Sequence, residues 1–373
     1  MPIGARDLST LVSLPAGWDG AALANFRLED DTPFTAVVAQ MQAAIGALNA
    51  ELYNDPVWAG AVSYTDQPET EYRQGTSNGM ERHTEYGRPD AARGETTGHM
   101  LPLIGWDRRL GWTWDYLRKA RMTQVQADVA DAIKDVRDRF RLQILTRILK
   151  RTDDSGKNNG LGTAGYSAGF ATAAASTNVD FTPPSFGGSV FTSDHEHYVG
   201  ISGGAFTAAV FTSARATLLE HGHEPPFEFW IGTSDETTVR GLTGFVPAPA
   251  MNVTYGASAN VAALNPLQNA TGGYYIGMLE DFAVRVVRGV PQYYGFGFKS
   301  YGPNSQRNPL RVRLPKGMMR PTVLAFADPN AGSPIFPLQN MMLFLEFGVG
   351  VGDRTAGTAR YTNCATWADG TPS

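Results

Sequence analysis

Four of the six histidines in this sequence fall into two short pairs, His195 with His197 and His221 with His223. On an extended segment residues two apart share a face, so Asp194-His195-Glu196-His197 presents two imidazoles side by side, a common start to a zinc site. Glu224 follows the second pair, and a carboxylate is the other usual ligand. A converged set would hold a metal ion and, with one position open, activate a water for hydrolysis. Convergence is the difficulty. The intervening segment reads as a helix from about Gly204 to His221, about 27 Å long at 1.5 Å per residue, which puts the pairs at opposite ends unless the strand runs back alongside it. A histidine at a helix C-terminus also suits the macrodipole. The expectation is therefore that His195, His197, His221 and His223 hold no metal, and that His195 and His197 are satisfied by hydrogen bonds.

Three glycine-rich motifs point to other chemistry. Gly160-Leu-Gly162-Thr-Ala-Gly165 has the spacing of a dinucleotide-binding loop, with Asp180 downstream, but it follows a helix end where that fold requires a strand. Gly165-Tyr-Ser167-Ala-Gly169 has the spacing of a nucleophile elbow in the same glycine-rich surroundings. Gly200-Ile-Ser202-Gly-Gly204 is the better match, with a strand before it and a helix after it. Chain order decides against catalysis there: the hydrolase order is Ser, acid, His, and only Glu220 lies between Ser202 and His221, all along one helix. Ser202 is expected to cap that helix instead. The single Cys364 rules out an internal disulfide and reads as an inert thiol. No enzyme activity and no cofactor are expected.

The elements that position these residues are mixed. Thr32 and Pro33 mark a helix start, and Val37, Met41, Ala44, Leu48 and Leu52 continue it at helical spacing. Residues 61–112 read as two extended arms joined by a polar tip, an excursion with too little apolar content to fold alone and best explained if it lies on a neighbouring subunit. Met122, Val125, Val129, Ile133, Val136, Phe140, Ile144 and Ile148 predict one long amphipathic helix of roughly 30 residues. Between Met122 and Arg151 it carries seven basic and four acidic residues, a solvated face by default, with a face turned toward phosphate as the alternative. Strands are expected at His195–Val199, Phe227–Ile231, Phe282–Val287, Tyr293–Phe298, Leu310–Leu314 and Met341–Val351, with loops over 241–275. The class is α+β, without an internal repeat.

A chain of 373 residues with a net charge of -5 has no global electrostatic reason to bind nucleic acid. Charged residues make up 18%, below the roughly 25% usual for soluble domains, which favours contacts with other chains. The N-terminus lacks a signal-peptide pattern, and no apolar run approaches the roughly 20 residues of a membrane helix.

The order of these parts, with the stretches FTPPSFGG, DHEHYVGISGG, EHGHEPP, DFAVRVVRGVPQYYGFGFKSYGPNSQRNPLRVRLPKG and LFLEFGVGVGDRTAG, resembles the major capsid proteins of tailed bacteriophages, the Hong Kong ninety-seven type fold shared with encapsulins. The resemblance implies an N-terminal arm at 1–60, an extended loop at 61–112 and a peripheral domain at 113–195 and 308–362 built on the long helix. It further implies an axial domain at 196–307 and a tail at 363–373. It implies hexamers and pentamers of this chain closing an icosahedral shell around double-stranded DNA, which the shell touches weakly and non-specifically. The implied location is the virion, after synthesis in the host cytoplasm. The further partners it implies are a portal at one vertex and a decoration protein. Tyr64, Tyr72, Trp106, Arg108 and Arg109 are the expected intersubunit contacts, since aromatics and arginine are enriched at interfaces, with packing inside each arm as the alternative.

Two departures matter. Some members cross-link a lysine of the extended loop to an asparagine, but residues 61–112 contain no lysine, so even with Asn340 as acceptor that bond is not expected. No long charged leader precedes the arm and Met1 is present, so a separate scaffolding protein is expected. An encapsulin-like protein compartment and a metal-dependent hydrolase built on the histidine pairs are the competing readings.

Overall fold

The computed structural model describes residues 27–55, 57–74, 95–152, 154–156, 165–167, 169–172, 181–248, 254–255, 259–260, 273–327, 332–333 and 336–372. In chain order the first half contributes α1 (Phe34–Asn54), β1 (Val62–Thr65), β2 (Glu69–Gln74), β3 (Glu95–Met100), β4 (Ile104–Thr113), α2 (Trp114–Lys119), α3 (Met122–Leu149) and β5 (Tyr198–Gly200). The second half contributes α4 (Ala208–Leu219), β6 (Phe227–Ile231), α5 (Glu236–Arg240), β7 (Val246–Pro247), β8 (Gly273–Leu279), β9 (Phe282–Val287) and β10 (Tyr294–Phe298). It ends with β11 (Leu310–Arg313), β12 (Leu324–Ala327), β13 (Phe336–Val351) and β14 (Gly357–Tyr361). Helices and mixed sheets make the class α+β, as the sequence implies.

Described residues up to 54, with 103–140 and 314–347, form one compact unit. Here α1 buries Val37, Met41, Ile45, Leu48 and Leu52, and the first five turns of α3 bury Val125, Val129, Ala132, Val136 and Phe140, both at a spacing of three or four residues. β4 pairs antiparallel with β13 over ten residues, from Ile104 opposite Phe347 to Thr113 opposite Leu338, and β12 pairs with β13 as well. Polar ties hold the helix starts. The Asp30 carboxylate accepts from the amides of Thr32 (3.2 Å) and Met122 (2.9 Å), which lowers its pKa, the Met122 amide contributing most. The Asp128 carboxylate accepts from the Trp112 indole at 2.8 Å.

The second unit, within 55–102, 141–313 and from 348 onward, contains a seven-stranded sheet in the order β5-β14-β10-β6-β9-β8-β7. The β5–β14 and β6–β9 pairs are parallel and the rest antiparallel. Its core gathers Phe206, Val210, Phe211, Ala214 and Leu218 of the α4 segment with Phe227, Phe229, Ile231, Phe282, Val284 and Val286 of the central strands. The alternation Tyr294-Gly-Phe-Gly-Phe298 makes this packing possible. A Cβ on Gly295 would lie 2.5 Å from the Phe229 ring, whereas Phe296 and Phe298 meet Trp230 edge-on at 5.7 and 4.9 Å between ring centres. Glycine here is demanded by the neighbouring ring, not by a turn. In the same unit β1 pairs parallel with β11, which pairs antiparallel with residues 348–351 of β13. β2 and β3 form an antiparallel hairpin from Glu69 opposite Met100 to Gln74 opposite Glu95.

Several expected boundaries move. The strand expected at His195–Val199 is Tyr198–Gly200, because His195 lies after a turn at Ser193-Asp194. The helix expected from Gly204 begins only at Ala208 with Thr207 at its cap, so Ser202 does not cap it. The reason is local: Gly203 and Gly204 have φ of 150° and 70°, values a helix cannot continue from, and Ser202 is left exposed in the turn. Gly222, at φ 78°, ends the helix region in the left-handed conformation expected of it. β13 is longer than the expected Met341–Val351, and β4 pairs with it instead of with the outgoing arm. Within 241–275 the short strands Val246–Pro247, Thr254–Tyr255 and Ala259–Asn260 replace part of the expected loop.

Candidate functional site

Three of the four paired histidines converge, contrary to the separation expected from an 18-residue helix. α4 has 12 residues, and the turn before it lets the chain leaving His197 return so that the helix end lies beside it. The Nε2 atoms of His195, His197 and His221 stand 3.2, 3.0 and 2.9 Å apart in the pairs 195/197, 195/221 and 197/221. The Glu220 carboxylate lies 3.4 Å from His195 Nε2 and 3.9 Å from His221 Nε2. One ligand atom from each of the four residues fits within 4.8 Å of all the others.

The backbone around His197 is held on both sides. Its amide donates to the Ala171 carbonyl at 2.7 Å, and its own carbonyl accepts from the Ala359 amide and the Thr358 hydroxyl, each at 2.9 Å. The His197 ring is fully buried and bonds through Nδ1 to the Gly357 carbonyl at 2.7 Å, so Nδ1 carries the proton and Nε2 a lone pair. Phe191 covers His195 and His221, its ring centre 4.7 and 4.3 Å from theirs. Burial, then the neighbouring His221 and His195, holds the His197 pKa well below the usual imidazole value. Burial, then His195 and His223, brings His221 down to about 3. Both imidazoles are thus neutral near pH 7, the state in which imidazole ligates metals.

His223 stays apart. Its Nδ1 meets the Tyr301 hydroxyl at 2.7 Å and its Nε2 the Thr355 hydroxyl at 3.0 Å. Glu224 is exposed, and Glu196 pairs with Arg151 at 2.7 Å, so neither of these two carboxylates joins the cluster. Two members of this cluster were not foreseen from the sequence, Glu220 beside the imidazoles and the Gly357 carbonyl that orients His197. Leu219-Glu220-His221-Gly222 at a helix end was the available signal for the first; nothing local signals the second.

Ser202 gains no histidine partner, and the side chain of Ser167 lies outside the described residues. Ser202 is exposed, and the hydrogen bonds of His195, His197, His221 and His223 go elsewhere. Gly160, Gly162 and Asp180 lie outside the described residues. Cys364 is a free, exposed thiol.

The five residues picked as contact candidates divide by environment. Tyr64 is buried in β1, its amide donating to Asn304 Oδ1 at 2.7 Å. The Tyr72 hydroxyl receives Arg354 Nη1 at 3.0 Å and lies 3.3 Å from His99 Nδ1, while its ring meets Phe181 edge-on at 4.9 Å. Trp106 lies under the Arg139 guanidinium, 4.4 Å from its ring centre. Arg108 pairs with Asp135 at 3.1 Å, both about half exposed, and Arg109 is exposed. Among the described residues no helix is long and apolar enough to cross a membrane.

No family model matches the chain, and no curated protein matches it. Among solved structures it is similar to one from Mycobacterium phage Patience, at 20% identity and a TM-score of 0.64, covering 92% of this chain and 91% of that one. A capsid of a native GTA particle aligns at 14% identity and a TM-score of 0.47, over 83% of this chain and 89% of that one. The bacteriophage PhiM1 mature capsid aligns at 10% identity and 0.47, over 82% and 86%. The first of these shows that the chain has the fold of a phage protein over nearly its whole length.

Proposed function

We propose that this chain is the shell-forming subunit of a tailed-phage head, a structural protein and not an enzyme. The observation that carries the reading is the fold shared with the Mycobacterium phage Patience chain over 92% of one and 91% of the other. The order of parts supports it: a two-stranded arm at β2 and β3, a spine helix of 28 residues in α3, and a seven-stranded sheet covered by α4. Copies of the chain form hexamers and pentamers that close an icosahedral shell around double-stranded DNA, in the virion. A scaffolding protein guides closure, a portal occupies one vertex, and a decoration protein is the remaining candidate partner. Residues 61–112 serve as the extended loop, 113–195 and 308–362 as the peripheral domain and 196–307 as the axial domain.

On this reading β4 offers Arg108 and Arg109 to a neighbouring copy with Trp106 behind them, while Tyr64 and Tyr72 contribute from the arm. Support is strongest for the two arginines, whose side chains are open to solvent in the isolated chain.

Sedimentation of the chain, expressed alone or with the scaffolding protein from the same genome, tests the proposal. Closed particles far larger than any small oligomer are expected, with nuclease-protected nucleic acid when DNA is packaged. A monomer or small oligomer under every assembly condition refutes it. Particles that enclose a protein cargo in place of nucleic acid would assign the shell to the encapsulin-like alternative.

A further inference from the structure

We propose that His195, His197, His221 and Glu220 form a structural zinc site that ties the segment entering β5 to the C-terminal end of α4. The inference stands on the geometry of the three Nε2 atoms and is independent of the shell proposal.

Three imidazole nitrogens in mutual contact cannot all be satisfied by protons. His197 Nδ1 faces the Gly357 carbonyl at 2.7 Å, so the proton of the neutral ring sits there and Nε2 can only accept. His195 and His221 each have at most one proton to place at Nε2. If both place it there, the two N–H groups oppose each other across 3.0 Å; if only one does, a single proton has to serve two acceptors. At least one of the three contacts therefore brings two lone pairs or two protons together. A cation among the three nitrogens removes the conflict, because all three lone pairs then point at it.

The dimensions agree. A tetrahedral zinc ion with bonds of about 2.0–2.1 Å to nitrogen or oxygen holds its ligand atoms about 3.3–3.4 Å from one another. The observed nitrogen separations are 2.9, 3.0 and 3.2 Å, and the Glu220 oxygen lies 3.4 Å from the nearest of them, so a small outward shift of each ring admits the ion. The Gly357 carbonyl supplies the outer partner that a ligating histidine normally has, which fixes both the tautomer and the ring direction. Imidazole and carboxylate ligands without thiolate suit Zn2+, and Glu220 closes the fourth position, which makes the site structural. A buried cation nearby is Arg360, whose Nη1 approaches the His197 carbonyl and whose Nη2 donates to the Thr217 hydroxyl at 2.9 Å. The Glu220 carboxylate is the countercharge that offsets it.

The test uses the full chain in whatever assembly it forms. After removal of metal with a chelator, zinc is titrated back against a chromophoric competitor, and cobalt(II) is added separately to report ligand geometry by its absorption spectrum. About one zinc per chain, a tetrahedral cobalt spectrum and a higher melting temperature with zinc are expected. His195→Asn, at the partly exposed side of the site, should lose tight binding while remaining folded, and Glu220→Gln should weaken it at least about tenfold. His223→Gln should keep zinc, since His223 bonds elsewhere. His197→Ala removes a fully buried ring and could unfold the region, so His195→Asn decides the matter. Folded wild-type protein that takes up no zinc, or takes up as much as His195→Asn, overturns the proposal.

Discussion

The α4 core of the second unit and the α1 and α3 stripes of the first solve burial differently. In the former Phe211 and Phe229 lie 4.5 Å apart and Phe229 and Phe282 5.4 Å, with glycines on β10 clearing space for the rings, so the interior is closed by large aromatic groups. In the latter the buried residues are mostly aliphatic and the outer face of α3 stays charged, with Lys134 bonded to Asp138 and Arg108 to Asp135 at half-exposed positions. One region spends its sequence on its own interior. The other keeps polar surface, which under the proposed function a second copy contacts. Substitutions should therefore damage folding in the aromatic core and assembly on the charged face.

The largest effect is expected in the aromatic core. Phe229→Ala empties a fully buried position against three other phenylalanine rings and should cost about 3–5 kcal/mol in chemical denaturation. Gly295→Val places new atoms against the Phe229 ring, where even a Cβ would come to 2.5 Å, and should cost about 1–3 kcal/mol by the same measurement. If either variant unfolds at the wild-type denaturant midpoint, the aromatic closure described here is wrong.

A pH effect comes next, from His99 on β3. Burial, then Arg354 and Arg147, lowers its pKa from 6.5 to about 3. The unfolded chain therefore takes up a proton near pH 6.5 that the folded chain refuses until about pH 3. The contribution is absent above pH 6.5, and stability falls as pH drops through that window by about 1.4 kcal/mol per pH unit from this group. His99→Gln should flatten the slope between pH 6 and 4 measured by denaturant titration, by about one proton. An unchanged slope would remove His99 from the account.

The smallest stability effect is expected on the charged face. Arg108→Glu breaks a half-exposed ion pair and should change subunit stability by no more than about 1 kcal/mol, yet lower the yield of closed particles. Normal particle yield with an intact fold would sharpen the contrast by moving the contact away from Arg108.

Much of this architecture was readable in the residue order. α1 and α3 announce themselves because one side of each is apolar at helical spacing, and Phe227–Ile231 and Phe282–Val287 do so because both faces of those strands are covered. The histidine cluster was not readable. Its formation depends on two positive-φ glycines, Gly203 and Gly204, that delay the helix and turn the chain back, and helical periodicity carries no record of that turn. β13 was read five residues short at its start, where Pro337 and Gln339-Asn340 break the apolar pattern that marks a strand, although its backbone pairs with Gly332 at Pro337 and with β4 at Gln339 and Asn340. Tyr72 shows a third limit. Its partners Phe181 and Arg354 are far away in sequence, so an exposed contact and a packed one look alike until the chain is folded.

Electron microscopy of the purified chain, assembled with or without the proposed scaffolding protein, tests the central claim most directly. The account predicts closed shells hundreds of ångströms across whose averaged images show five-fold and six-fold clusters of this subunit. A uniform population of monomers or small open oligomers under all assembly conditions would contradict it.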